Sequence, residues 1–215
     1  MLAKERLGQL LGMAAKRQWS PLARELCDLV LYWPKDYPDA MYAPVIALTE
    51  TALREADRET QTLLAGRLAS RSDVPLTLMN VLYLAATAPQ RREILMRNEI
   101  DTTAPAPVMA DGASVLAAAR NRHSDFTATL SRLSGLPRPT VTAILADASG
   151  EPLAVLCRGL GLDRACFSAL ALLRGPAGMP LTVFDTIPPK AATHLVSDWR
   201  RTTTGTLPDK VAAAE

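Results

Sequence analysis

The stretch SDFTATLSRLSGLPRPTVTAILADASG, Ser124–Gly150, decides the fold. Ser124 is placed to cap a helix. Phe126, Leu130 and Leu133 then recur at helical spacing. Gly135 and Pro137 stop that helix, because glycine suits a helix end and proline cannot continue one. A second helix starts near Pro139, carries Val141, Ile144 and Leu145 inward, and ends at Gly150. Each short amphipathic helix has one apolar face to bury, and the first of them pairs with Ala113–Asn121 in a hairpin that Pro137 closes.

The same grammar repeats outward in both directions. Leu2–Arg17 reads as a helix with Leu7, Leu10, Leu11 and Ala14 on one face. Ser20 reads as the N-cap of the next, with Pro21 at its first position and Pro34 ending it. Its stripe is Leu22, Leu26, Leu29, Val30 and Trp33. Helices follow from Asp39 to Ala56, with Val45, Ile46, Leu48, Thr49 and Leu53, and from Glu59 to Ser70, with Leu63, Leu64 and Leu68. Asp73 is expected to cap a fifth, with Leu78, Val81, Leu82 and Ala85 buried. Thr87–Gln90 has the form of a capping box and starts a sixth. Beyond Ala113–Asn121 and the two opening helices, Leu153–Leu160 is a short helix. Asp163 caps another, with Cys166, Ala169, Leu170 and Leu173 inward and Gly175 and Pro176 as its stop. The last long helix is Pro189–Arg201, with Ala192, Leu195, Val196 and Trp199 inside.

The expectation is an all-α fold of about twelve helices, in an irregular array of antiparallel hairpins whose closing prolines are Pro34, Pro89, Pro137 and Pro176. Residues 1–100 form an N-terminal hairpin array, and 101–112, rich in proline and small residues, a linker. Residues 113–201 are expected to form C-terminal hairpins packed on the first part, and 202–215 a loose tail.

Composition agrees. Of 215 residues, 35 are Ala and 33 Leu, both strong helix formers, and β-branched runs that would mark buried parallel strands are missing. Net charge is +2 and spread evenly, which disfavours nucleic acid as a partner. Arg outnumbers Lys by 19 to 5, an excess that reads as codon bias rather than as function. No apolar run is long enough to span a bilayer, and charges interrupt the N-terminal apolar pattern, so a cytoplasmic protein is expected. Three widely spaced cysteines make no disulfide framework and read as buried small residues.

Two stretches resemble a known family. In VPLTLMNVLYLAATAPQRREILMRNEI, Val74–Ile100, the elements are Leu78-Met79-Asn80, Ala88-Pro89, Arg92, Ile94 and Arg97-Asn98. In SVLAAARNRHSDFTATLSRLSGLPRPTVTAILADASGEPLAVLCRGLGL they are a small-residue helix, the LSGLP stop and the apolar helix after it. Both resemble domain of unknown function 2336, a bacterial, mainly alphaproteobacterial family. The resemblance implies HEAT-like helical repeats and no established activity.

Sites of chemistry are sparse. The two histidines, His123 and His194, are 71 positions apart, and no Cys or His pair has zinc spacing. His123 in RHSDF lacks the neighbours of a phosphotransfer histidine and reads as a turn residue. GLGLDR, Gly159–Arg164, lacks the third glycine and the preceding strand of a nucleotide loop. No catalytic residue, cofactor or metal is expected. Two polar groups remain as interface candidates: Arg92, Arg97 and Asn98, beside Arg91, and Trp199, Arg200 and Arg201. In the first, one arginine is expected to brace a neighbouring hairpin through carbonyls or a carboxylate, the functional alternative being a surface that contacts an anion or an acidic peptide. In the second, Trp199 is expected to pack inward and the arginines to complement the helix dipole. The expected role is a non-catalytic interaction or scaffold module whose partner is another protein or a second copy of the chain. The alternative is an enzyme or signalling protein, by phosphotransfer or nucleotide, with an unrecognised site.

Overall fold

The computed structural model describes residues 3–69, 71–101, 105, 109–121 and 125–201. His123, Ser124, half of the expected linker and the tail 202–215 lie outside the described residues. Among the described residues there is no strand, and thirteen α-helices follow one another. Two compact units divide the chain, Met1–Met96 and Arg97–Glu215, and the division falls inside one helix.

In the first unit, α1 (Ala3–Ala15) packs on α2 (Trp19–Leu31). A 3-10 turn at Asp39–Met41 leads into α3 (Tyr42–Glu55), followed by α4 (Arg58–Leu68) and α5 (Leu76–Leu82). A second 3-10 turn, Tyr83–Ala85, precedes α6 (Ala88–Ile100), whose last turn belongs to the second unit. α2 is central: it meets α1, α3 and α4, and Leu22, Ala23, Leu26 and Cys27 have no exposed surface.

The second unit holds α7 (Gly112–Arg120), α8 (Phe126–Ser134), α9 (Arg138–Ala146), α10 (Glu151–Gly159), α11 (Arg164–Arg174), the short α12 (Val183–Thr186) and α13 (Pro189–Arg201). α10 is its centre, because every residue from Glu151 to Cys157 is buried. A helix apolar on all sides needs neighbours on all sides. α9, α11, α12 and α13 supply them, and α13 packs most extensively. The close approach is set by Gly159. A Cβ there would lie 2.5 Å from Val196 Cγ2 and 2.7 Å from the Ala192 carbonyl oxygen. Burying each large apolar side chain of α10 contributes on the order of 2 kcal/mol.

Helix starts are closed by aspartates. Asp57, Asp111, Asp125 and Asp163 each accept from backbone N–H groups in the first turn of α4, α7, α8 and α11. Asp163 was legible as a cap. Ser20 and Asp73 are not caps, and α8 is capped by Asp125 rather than by Ser124 before it. Gln18 precedes α2, and Ser20 Oγ instead donates to Asp57 Oδ2 while accepting from Asp57 N–H at 3.0 Å. α5 begins after Pro75, and Arg71 grips Asp73 with two hydrogen bonds, from Nε at 3.0 Å and a terminal nitrogen at 2.7 Å. Other partners compete with a cap for the same short polar side chain: at Ser20 a distant aspartate won, and at Asp73 an arginine two residues away. The capping box at Thr87 forms one of its two bonds: Thr87 N–H donates to Gln90 Oε1 at 2.9 Å.

Candidate interaction surface

The four aspartates above satisfy helix N-termini. The opposite ends, with their unpaired carbonyls, are closed by cations from other elements. Arg91, nearly fully buried, donates Nε to Tyr83 O and a terminal nitrogen to Leu84 O, both at 3.1 Å, with its guanidinium 5.4 Å from the Tyr83 ring centre. Arg58 donates to the same Leu84 O. Arg174 reaches Ala119 O and Asn121 O, both at 2.8 Å, at the end of α7, and lies 5.2 Å from the centre of the Phe126 ring. Arg158 places two nitrogens 3.2 Å from Phe184 O, 4.3 Å over the Phe184 ring. Arg200 donates to Ser134 O at the end of α8. Lys190 donates to Glu99 O near the end of α6, at 2.8 Å. A planar guanidinium can bond two carbonyls and cover a ring at once, which an ammonium cannot.

The interface candidates take their places in this frame. Arg92 is exposed on α6 in the first unit. Arg97 and Asn98 belong to the second unit, Arg97 half-buried and Asn98 buried. Trp199 is buried, facing inward with Leu195 and Val196. Arg200 closes α8, and Arg201 forms an ion pair with the buried carboxylate of Asp198. The bracing arginine is Arg91. Glu99 meets the start of α13, whereas Arg200 lies ten residues further along it, about 15 Å at the helical rise. That contact therefore does not gather the two candidate groups into one patch.

A surface the sequence reading missed lies on α11. Cys166, Phe167, Leu170 and Ala171 turn inward, while Ala165, Leu172 and Leu173 are exposed, Leu172 to 77% and Leu173 to 46%. Leu173 was expected inside. The buried face is instead the 166/167/170/171 seam, which leaves Leu173 outside it. The signal was present in the run Ala169–Leu173, which is apolar at every position and cannot all face one core. The charged ends of α11 are engaged: Arg164 pairs with Asp185 at 3.2 Å, and Arg174 closes α7.

In the first unit an open groove of about 410 Å³ is lined by Gly66, Ala69, Pro89, Gln90 and Glu93. Among the described residues no group of three His, Cys, Asp or Glu residues is placed to hold a metal ion. The three cysteines are buried and free, and burial raises their thiol pKa values, Cys27 to about 12. Among the described residues no helix is long and apolar enough to cross a membrane.

Residues 109–180 match the family model of an uncharacterised protein conserved in bacteria, DUF2336. Over this third of the chain the sequence is similar to the DUF2336 family. The DUF2336 segment carries α7 to α11, and with them both the buried α10 and the apolar outer strip of α11. Val74–Ile100, whose elements carried part of the resemblance, and the Trp199–Arg201 group lie outside the DUF2336 match. No curated protein and no solved structure matches the chain.

Proposed function

We propose that the chain is a non-catalytic protein-interaction module, acting in the cytoplasm through stacked hairpins of HEAT-like character. The outer strip of α11 carries this reading. Leu172 and Leu173 face solvent on a helix whose two end arginines are engaged elsewhere. A solvent-facing helix surface ordinarily carries charge, and large apolar side chains held there favour a partner surface that removes them from water. The partner is a protein with an apolar face of its own.

The test compares affinity capture by the wild type and by Leu172→Asp/Leu173→Asp, both exposed positions. Support requires a captured protein that the variant loses while its circular dichroism is unchanged. Identical capture by both chains would overturn the reading. Loss of a concentration-dependent dimer in the variant would make a second copy the partner.

A second reading rests on the groove at Gly66, Gln90 and Glu93, whose volume suits a small ligand. A metabolite that co-purifies with the wild type and is lost in Glu93→Ala would favour that reading over the first.

A further inference from the structure

The junction between the last turn of α6 and the first turns of α13, both in the second unit, is a reciprocal clasp. Lys190 Nζ donates to Glu99 O, and the Glu99 carboxylate in turn accepts from Ala191 N–H at 3.2 Å. A cation thus meets the carbonyl end of one helix, and a carboxylate the amide end of the other. One turn along α13 from Lys190 and Ala191 sits His194, only 8% exposed. Among the described residues, its buried Nε2 has no hydrogen-bond partner.

We infer that His194 makes this clasp a pH-sensitive latch, closed while the imidazole is neutral and loosened when it takes a proton. A neutral ring tolerates an unpartnered nitrogen at modest cost. A protonated ring carries an N–H on this buried Nε2 and a charge, and burial without a partner penalises both. Asp101 and Glu99 face the ring from the end of α6, and Lys190 and Arg201 from α13 itself. Asp198, one turn further on, pairs with Arg201. α10, which packs along α13, carries Glu151 and Arg158, the latter engaged by Phe184 O. Two carboxylates and two cations oppose one another, so burial sets the direction and holds the histidine below its ordinary value. The linkage follows. The open junction takes its proton near pH 6.5, and the closed junction only below that. Closure is therefore complete above about pH 6.5 and weakens as pH falls through that value.

The full-length, untagged chain carrying His123→Gln leaves His194 as its one imidazole. Its NMR titration midpoint is expected below about 6.5. Hydrogen exchange, corrected for intrinsic rates, is expected to show a severalfold loss of protection in the first turns of α13 and the last turn of α6 between about pH 7.5 and about pH 5.5. In His194→Gln that loss is expected to disappear. A midpoint at or above 6.5, or the same loss in His194→Gln, would overturn the inference. If His194→Gln does not fold, the titration alone decides.

Discussion

Charged side chains close helix ends in two ways, arginine at the carbonyl end and aspartate at the amide end. Buried Arg91 gives its fork to Tyr83 O and Leu84 O and its flat face to the Tyr83 ring, so Arg91→Lys keeps the charge and loses the fork. That substitution is expected to cost about 1–3 kcal/mol, read as a lower urea midpoint with an unchanged slope. An unchanged midpoint would show that the bonds are replaceable by water. Asp57 works at a helix start. Bonds from Ser20 Oγ and Thr60 N–H hold its carboxyl down to about 2. A depressed carboxylate stabilises the fold above its unfolded value, about 3.9, and loses that contribution as pH falls toward 2. Asp57→Asn keeps a cap acceptor but does not ionise, so its acid unfolding curve is expected to be flatter than that of the wild type across this range. The caps at Asp163 and the stop at Gly135 were legible because they depend only on neighbours in the chain. The capping of one helix by the arginine of another was not, since nothing in the sequence says which carbonyl an exposed-looking arginine will meet.

At the scale of the element, glycines divide by what surrounds them. A Cβ on Gly8, within α1, would touch nothing within 4 Å, whereas one on Gly159 would strike Val196 and the Ala192 carbonyl oxygen. Gly8→Ala is therefore expected to raise stability by about 0.5–1 kcal/mol, through helix propensity alone. Gly159→Ala is expected to lower it by about 1–3 kcal/mol, through overpacking between α10 and α13. Opposite shifts in melting temperature would confirm the pair, and a neutral Gly159→Ala would mean the two helices slide apart freely. α1 also ends on Arg17 in the left-handed region, at φ 53°, with Gln18 N–H bonded back to Met13 O. Glycine is the usual residue at such a helix end, and Arg17→Gly is expected to stabilise by about 1 kcal/mol in the same assay. The bounds of α13 were read correctly because Pro189 opens it and its stripe has a clean period. The four-residue α12 was not, because a single turn has no period to read.

Over the whole molecule, the three cysteines lie in the interior, and desolvation holds each thiol proton firmly. An aromatic disulfide reagent is expected to react slowly with the native chain and to release three equivalents quickly in denaturant. Fast reaction in the native state would contradict the burial of at least one. By itself, the sequence determined the class: alanine and leucine at helical spacing, punctuated by proline, glycine and aspartate, admit no other regular structure. It determined most of the core as well, since Leu22, Leu26, Leu64, Leu130, Val141, Ile144 and Trp199 are buried where their period placed them. Tertiary structure alone decided which way an all-apolar helix turns. Leu173 and Leu63 satisfy the spacing of a buried stripe, yet they are 46% and 51% exposed. Periodicity fixes which residues share a helix face, but only the neighbouring helices fix which face is covered. The same reason hid the surface on α11 and the latch at His194: each arises where two elements, distant in the chain, meet or fail to meet.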